Sequence, residues 1–121
     1  MANPQQQVAA LSQKFQAIQQ KLQATVESRQ RLESQLQENE SVKAEFDILD
    51  SESAIYKLIG PVLVKQDNIE ANQNVARRIE LLKQETEKVE NEIKKIQQEA
   101  EKVKTEIIRI QQAAQAQEET A

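Results

Sequence analysis

The side chains best suited to acid–base and nucleophilic chemistry at neutral pH are missing from this sequence. It contains no histidine and no cysteine, which removes the usual general base at neutral pH, the thiol nucleophile and most transition-metal sites. Asp47, Asp50 and Asp67 are its only aspartates and do not have metal-ligand spacing. A single glycine, Gly60, rules out a glycine-rich phosphate loop. The expectation is a protein that is not an enzyme and holds no cofactor and no metal. What remains is the chemistry of apolar contact, concentrated in one short stretch, Ala54 to Lys65 (AIYKLIGPVLVK), which Gly60-Pro61 interrupts.

The rest of the chain must position that stretch, and its composition restricts how. Of the 121 residues 38% are hydrophobic, 2% aromatic and 30% charged, too little apolar bulk to fill a globular core. One glycine and two prolines leave few turns. Ala, Glu, Gln, Lys, Leu and Ile at heptad spacing make the composition of a coiled coil, and regular phase in the aliphatics argues against disorder. The absence of cysteine leaves the redox compartment open. No basic start with an apolar core follows Met1, and no apolar run approaches a membrane span, so the expected location is cytoplasmic, with no membrane partner. A net charge of −4 and a pI near 5.0 argue against a nucleic-acid partner, which would need clustered cations. Arg77-Arg78 and Lys94-Lys95 read as solvated faces.

Two arms carry the periodicity. In the first, Val8, Leu11, Phe15, Ile18, Leu22, Thr25, Leu32 and Leu36 fall on alternating steps of three and four, the a and d positions of a heptad. Asn3-Pro4 supplies an N-cap and a first-turn proline. In the second, Val75, Ile79, Leu82, Thr86, Val89, Ile93, Ile96, Ala100, Val103, Ile107, Ile110 and Ala114 keep the same steps. Asp67 and Glu70 resemble a capping box at its start, and Glu90 with Lys94 supports the outer face.

So short a connection lets the second helix return along the first but not run parallel to it. An antiparallel pair must set a against d. Pairing Val8 with Ile110 and stepping inward matches Leu11 with Ile107, Phe15 with Val103, Ile18 with Ala100, Leu22 with Ile96 and Leu36 with Leu82. It then matches Asn39 with Ile79, Lys43 with Val75 and Phe46 with Asn72. This register centres beside Gly60-Pro61 and brings both chain ends together. The polar seam residues Thr25, Arg29, Asn39, Lys43, Asn72 and Thr86 weaken the seam; they fix register, leave room for flexing or are simply tolerated.

Residues 53–59 and 62–66 are rich in β-branched side chains around a two-residue turn signal, which predicts a β-hairpin. A proline inside a continuous helix would cost about 3 kcal/mol or more. Both faces of such a hairpin are apolar. Because an isolated hairpin is marginal in water, it must join hairpins of other chains or fold back on its own helices.

Tyr56-Lys57-Leu58-Ile59-Gly60-Pro61-Val62-Leu63-Val64-Lys65-Gln66, followed by Glu70-Ala71, Asn74-Val75 and Arg77-Arg78-Ile79-Glu80, resembles the β-class prefoldin subunits. The likeness is specific over roughly residues 50 to 82. It implies a mainly α fold: a long antiparallel two-helix coiled coil joined by one β-hairpin that assembles with other chains into a β-barrel platform. The single domain 1–121 divides into a helix over 4–50, the hairpin over 53–66, a helix over 67–118 and a frayed tail over 119–121. The resemblance implies a hexamer of two α-class and four β-class prefoldin subunits, with Ile55, Tyr56, Leu58, Ile59, Val62, Leu63 and Val64 as its oligomerisation residues. It also implies an ATP-independent chaperone that captures unfolded client proteins, actin and tubulin among them, and passes them to the cytosolic chaperonin.

Client-binding residues follow from physics, since the arm ends carry no family motif. A binder of unfolded chains needs reachable apolar groups too dispersed to aggregate. Val8, Leu11 and Phe15 facing Ile107, Ile108 and Ile110 supply them. Ile108 lies off the seam, and the others become reachable if the last turns fray or simply close the seam. Two other readings stand: a structural coiled-coil adaptor binding one defined folded partner, and, less well supported, a membrane-fusion bundle.

Overall fold

Between Gln5 and Ile59 the sequence contains neither glycine nor proline, and good helix formers dominate it. The computed structural model describes the backbone of residues 3–56 and 62–120 and the side chains of residues 3–49 and 69–119. Within these bounds it consists of two helices, α1 (Pro4–Tyr56) and α2 (Val62–Thr120).

Helix α1 starts where its capping residues require. Gln6 N–H donates to Asn3 Oδ1 at 2.8 Å and Asn3 N–H donates to Gln6 Oε1 at 3.3 Å, a reciprocal capping box with Pro4 at the first helical position. Gln7 N–H closes the first turn on Asn3 O at 3.0 Å. Asn3→Ala is expected to cost about 1 kcal/mol at this end. The readout is faster amide hydrogen exchange at Gln6 and Gln7 with no change at residues 18–25; unchanged exchange at Gln6 would refute the cap.

The expected β-hairpin over 53–66 is not there. Residues 51–56 continue α1 and residues 62–66 already belong to α2; among the described residues there is no strand. The second helix therefore begins at Val62 rather than at Asp67, which lies inside it. The expected turn residues Gly60 and Pro61, with Leu58 and Ile59, fall outside the described residues. The β-branched run misled because strand preference is weak and mostly reports packing on neighbouring strands, which one chain cannot provide. A helix already nucleated over 53 or 59 residues instead gains one hydrogen bond for each further residue it orders.

The chain forms two compact units. The first comprises Met1–Ser28 and Val89–Ala121. Its core is Ile18, Ile96, Ala100 and Val103, with Leu11, Phe15, Leu22 and Ile107 packed around it; Ile93 is buried as well. All are a and d positions of the antiparallel register. Ile96 is the most enclosed at 3% exposed, and burying such a side chain contributes about 1.5–3 kcal/mol.

The second unit is Arg29–Lys88. Ile79 is its one buried apolar residue among those described; Leu32, Leu36, Phe46, Val75 and Leu82 are half-buried. Polar residues take several of its seam places, and they find partners. Asn39 Nδ2–H donates to Gln35 O and Thr86 Oγ1–H to Leu82 O, each at 2.7 Å, the back-bonding within a helix that short polar side chains favour. Lys43 Nζ donates to Asn72 Oδ1 at 3.3 Å, and Asn72 Nδ2 reaches Asp47 Oδ1 at 3.5 Å. Lys43 also pairs with Asp47 at 3.5 Å. These contacts tie α1 to α2 at a defined register. Side chains this exposed make the ion pair worth at most about 1 kcal/mol, so the cluster aligns the helices more than it stabilises them.

Candidate functional site

The chain-terminal end of the first unit carries an open groove of about 700 Å³. Helix α1 contributes Pro4, Gln5, Val8 and Ala9; α2 contributes Ile108, Ile110, Gln111, Gln112, Ala114, Gln115 and Glu118. That residues 4–9 lie against 108–118 follows from the antiparallel register. The groove exists because the seam closes poorly here. Ala114 occupies a seam position too small to fill it, and Val8 and Ile110 are only half-buried.

Ile108 is the informative member. It lies one position past Ile107, off the buried stripe, and is 44% exposed. Val8, Ile108 and Ile110, all expected to bind clients, come together as groove residues. Leu11, Phe15 and Ile107 do not join them; they are half-buried against the core. Of the seven expected assembly residues, Ile55, Tyr56, Val62, Leu63 and Val64 lie on helical backbone, whereas Leu58 and Ile59 fall outside the described residues.

Four residues that sequence reasoning missed are the carboxamides Gln5, Gln111, Gln112 and Gln115. Their signal was available: between Ile110 and Glu118 the sequence QQAAQAQ offers only glutamine and alanine. Ordinary reading discounts glutamine on a coil surface as solvated filler. Among the described residues no group of three or more acidic side chains could hold a metal ion, and no helix is long and apolar enough to cross a membrane.

The family model described as "Prefoldin subunit" matches residues 9–114, most of both helices and everything between them. The chain belongs to the prefoldin subunit family. Its relatives sharpen the resemblance within that family. It is 51% identical over 63 residues to the probable prefoldin subunit 6 of Caenorhabditis briggsae, covering 52% of this chain and 49% of that one. It is 50% identical over 62 residues to prefoldin subunit 6 of Arabidopsis thaliana, covering 51% and 48%. With prefoldin subunit 6 of Homo sapiens it shares 38% identity over 79 residues, 65% and 61% of the two chains. The chain spans about half the length of the first two of these curated relatives. No solved structure matches it.

Proposed function

We propose that this chain is a subunit of a hexameric, ATP-independent cytoplasmic chaperone, which captures unfolded proteins, actin and tubulin among them, and delivers them to the cytosolic chaperonin. The family match over residues 9–114 carries the reading. Partner chains are α- and β-class prefoldin subunits. The exposed apolar groove at the chain-terminal end supports the capture step: it offers Val8, Ile108 and Ile110 to an unfolded chain without being large enough to drive aggregation. Leu11, Phe15 and Ile107 serve as a reserve that becomes reachable when the terminal turns open.

Assembly is assigned to the other apolar concentration, Ile55, Tyr56, Leu58, Ile59, Val62, Leu63 and Val64. Ile48, Leu49 and Ile69, next to it in sequence, are exposed apolar side chains, which water does not favour. Val62→Asp places a charge in that apolar concentration, and burying an unpaired carboxylate costs several kcal/mol. Reconstitution with α- and β-class partners followed by native mass spectrometry is expected to give a heterohexamer with the wild-type chain and free chain with the variant. A hexamer of unchanged mass from Val62→Asp would sink the assembly assignment.

A further inference from the structure

We propose that the chain-terminal groove grips an uncharged, extended peptide segment by its backbone, with glutamine carboxamides as the hydrogen-bonding groups. The inference rests on the reading that this groove receives unfolded chains and adds how it does so. Among the described residues its lining holds four carboxamides, one charged side chain, Glu118, and no lysine or arginine. Each carboxamide offers two N–H donors and an acceptor oxygen, the same mixture that a peptide backbone presents. A carboxylate on the guest would find no cation, and would meet Glu118.

The spacing suits that guest. Gln111 and Gln115 stand four residues apart on α2, about 6 Å along its axis. Groups on one edge of an extended chain recur every second residue, about 6.6 Å, a difference that flexible glutamine side chains absorb. The guest's side chains stand perpendicular to that edge, and Val8 on α1 and Ile108 on α2 line the same groove as apolar contacts for them. A cleft of 700 Å³ lies within the ~300–1,000 Å³ typical of sites that enclose a small ligand, enough for a short segment and not for a folded surface.

The complementarity is therefore neutral to neutral. It explains how one site accepts many sequences, because the backbone is common to all of them. It also makes binding nearly independent of salt, since screening acts on charge pairs.

The test uses the 121-residue chain and a fluorescent peptide of alternating leucine and serine, read by anisotropy. N-methylation of alternate residues removes backbone donors while keeping the side chains. The methylated peptide is expected to bind about tenfold more weakly, equivalent to about 1.4 kcal/mol. Gln111→Ala with Gln115→Ala should erase that difference; alanine keeps the helix, which circular dichroism checks. Ile108→Ser should weaken both peptides alike. Equal affinity of the two peptides for the wild-type chain overturns the proposal. So does preference for a glutamate-for-serine version, a steep salt dependence, or a self-associated chain that the peptide does not disperse. If peptide discrimination is present but the hexamer reconstituted with this chain fails to protect denatured actin, the backbone grip stands and the chaperone reading falls. If protection is present without discrimination, the reverse holds.

Discussion

Removal of residues 1–15 and 105–121 is expected to abolish protection of denatured actin while leaving assembly with partner subunits unchanged. The deletion takes away every residue lining the groove, from Pro4 to Ala9 and from Ile108 to Glu118. It spares the four buried core residues Ile18, Ile96, Ala100 and Val103, so the first unit keeps its centre. It also spares the apolar run from Ile55 to Val64, to which assembly is assigned. Loss of Leu11, Phe15 and Ile107 lowers stability by several kcal/mol, and the comparison is therefore made well below the melting temperature of the shortened coil. Light scattering after dilution of guanidine-denatured actin reads protection, and native mass spectrometry reads assembly. Full protection by the shortened complex would move client binding away from this end of the chain.

The second large effect concerns stability. Ile96→Ala removes three carbons from the most enclosed side chain of the first unit, 3% exposed, and is expected to cost about 2–5 kcal/mol through lost burial and an unfilled space. Ile108→Ala removes the same atoms from a residue 44% exposed, and should cost no more than about 0.5 kcal/mol. The same chemical change on one helix thus separates a seam position from a groove position. Urea unfolding followed by far-ultraviolet circular dichroism measures both. Equal midpoints for the two variants would mean that the isoleucine at 96 is not the core residue its burial indicates.

These two isoleucines also show how the sequence could be read. Ile96 lies on the three-four spacing and is buried; Ile108 lies one step off it and is exposed. Nearly every seam residue named from spacing, from Val8 to Phe46 and from Asn72 to Ala114, is withdrawn from solvent in one of the two units, because heptad phase and helix geometry are both local properties of the chain. The segment around Gly60 was misread for the opposite reason. Its side chains suit a strand, but a strand is stable only against others, and the helices on either side reach to Tyr56 and back from Val62. The polar seam residues admit three readings from sequence: fixing register, allowing movement or simply being tolerated. Lys43, Asn72 and Asp47 make contacts that fix it, while Asn39 and Thr86 bond only within their own helices in the contacts seen.

What the sequence determined by itself is the helical character, the seam and the antiparallel register, along with the absence of histidine and cysteine. Each follows from residue type and spacing along one chain. Only the tertiary structure decided which apolar residues remain reachable. Val8 and Leu11 have the same pattern in the sequence, but Leu11 packs on the core and Val8 lines a groove, since Ala114 is too small to fill the space between the paired helices. The placement of the groove glutamines beside apolar residues follows for the same reason, and the recognition role proposed for them rests on that placement.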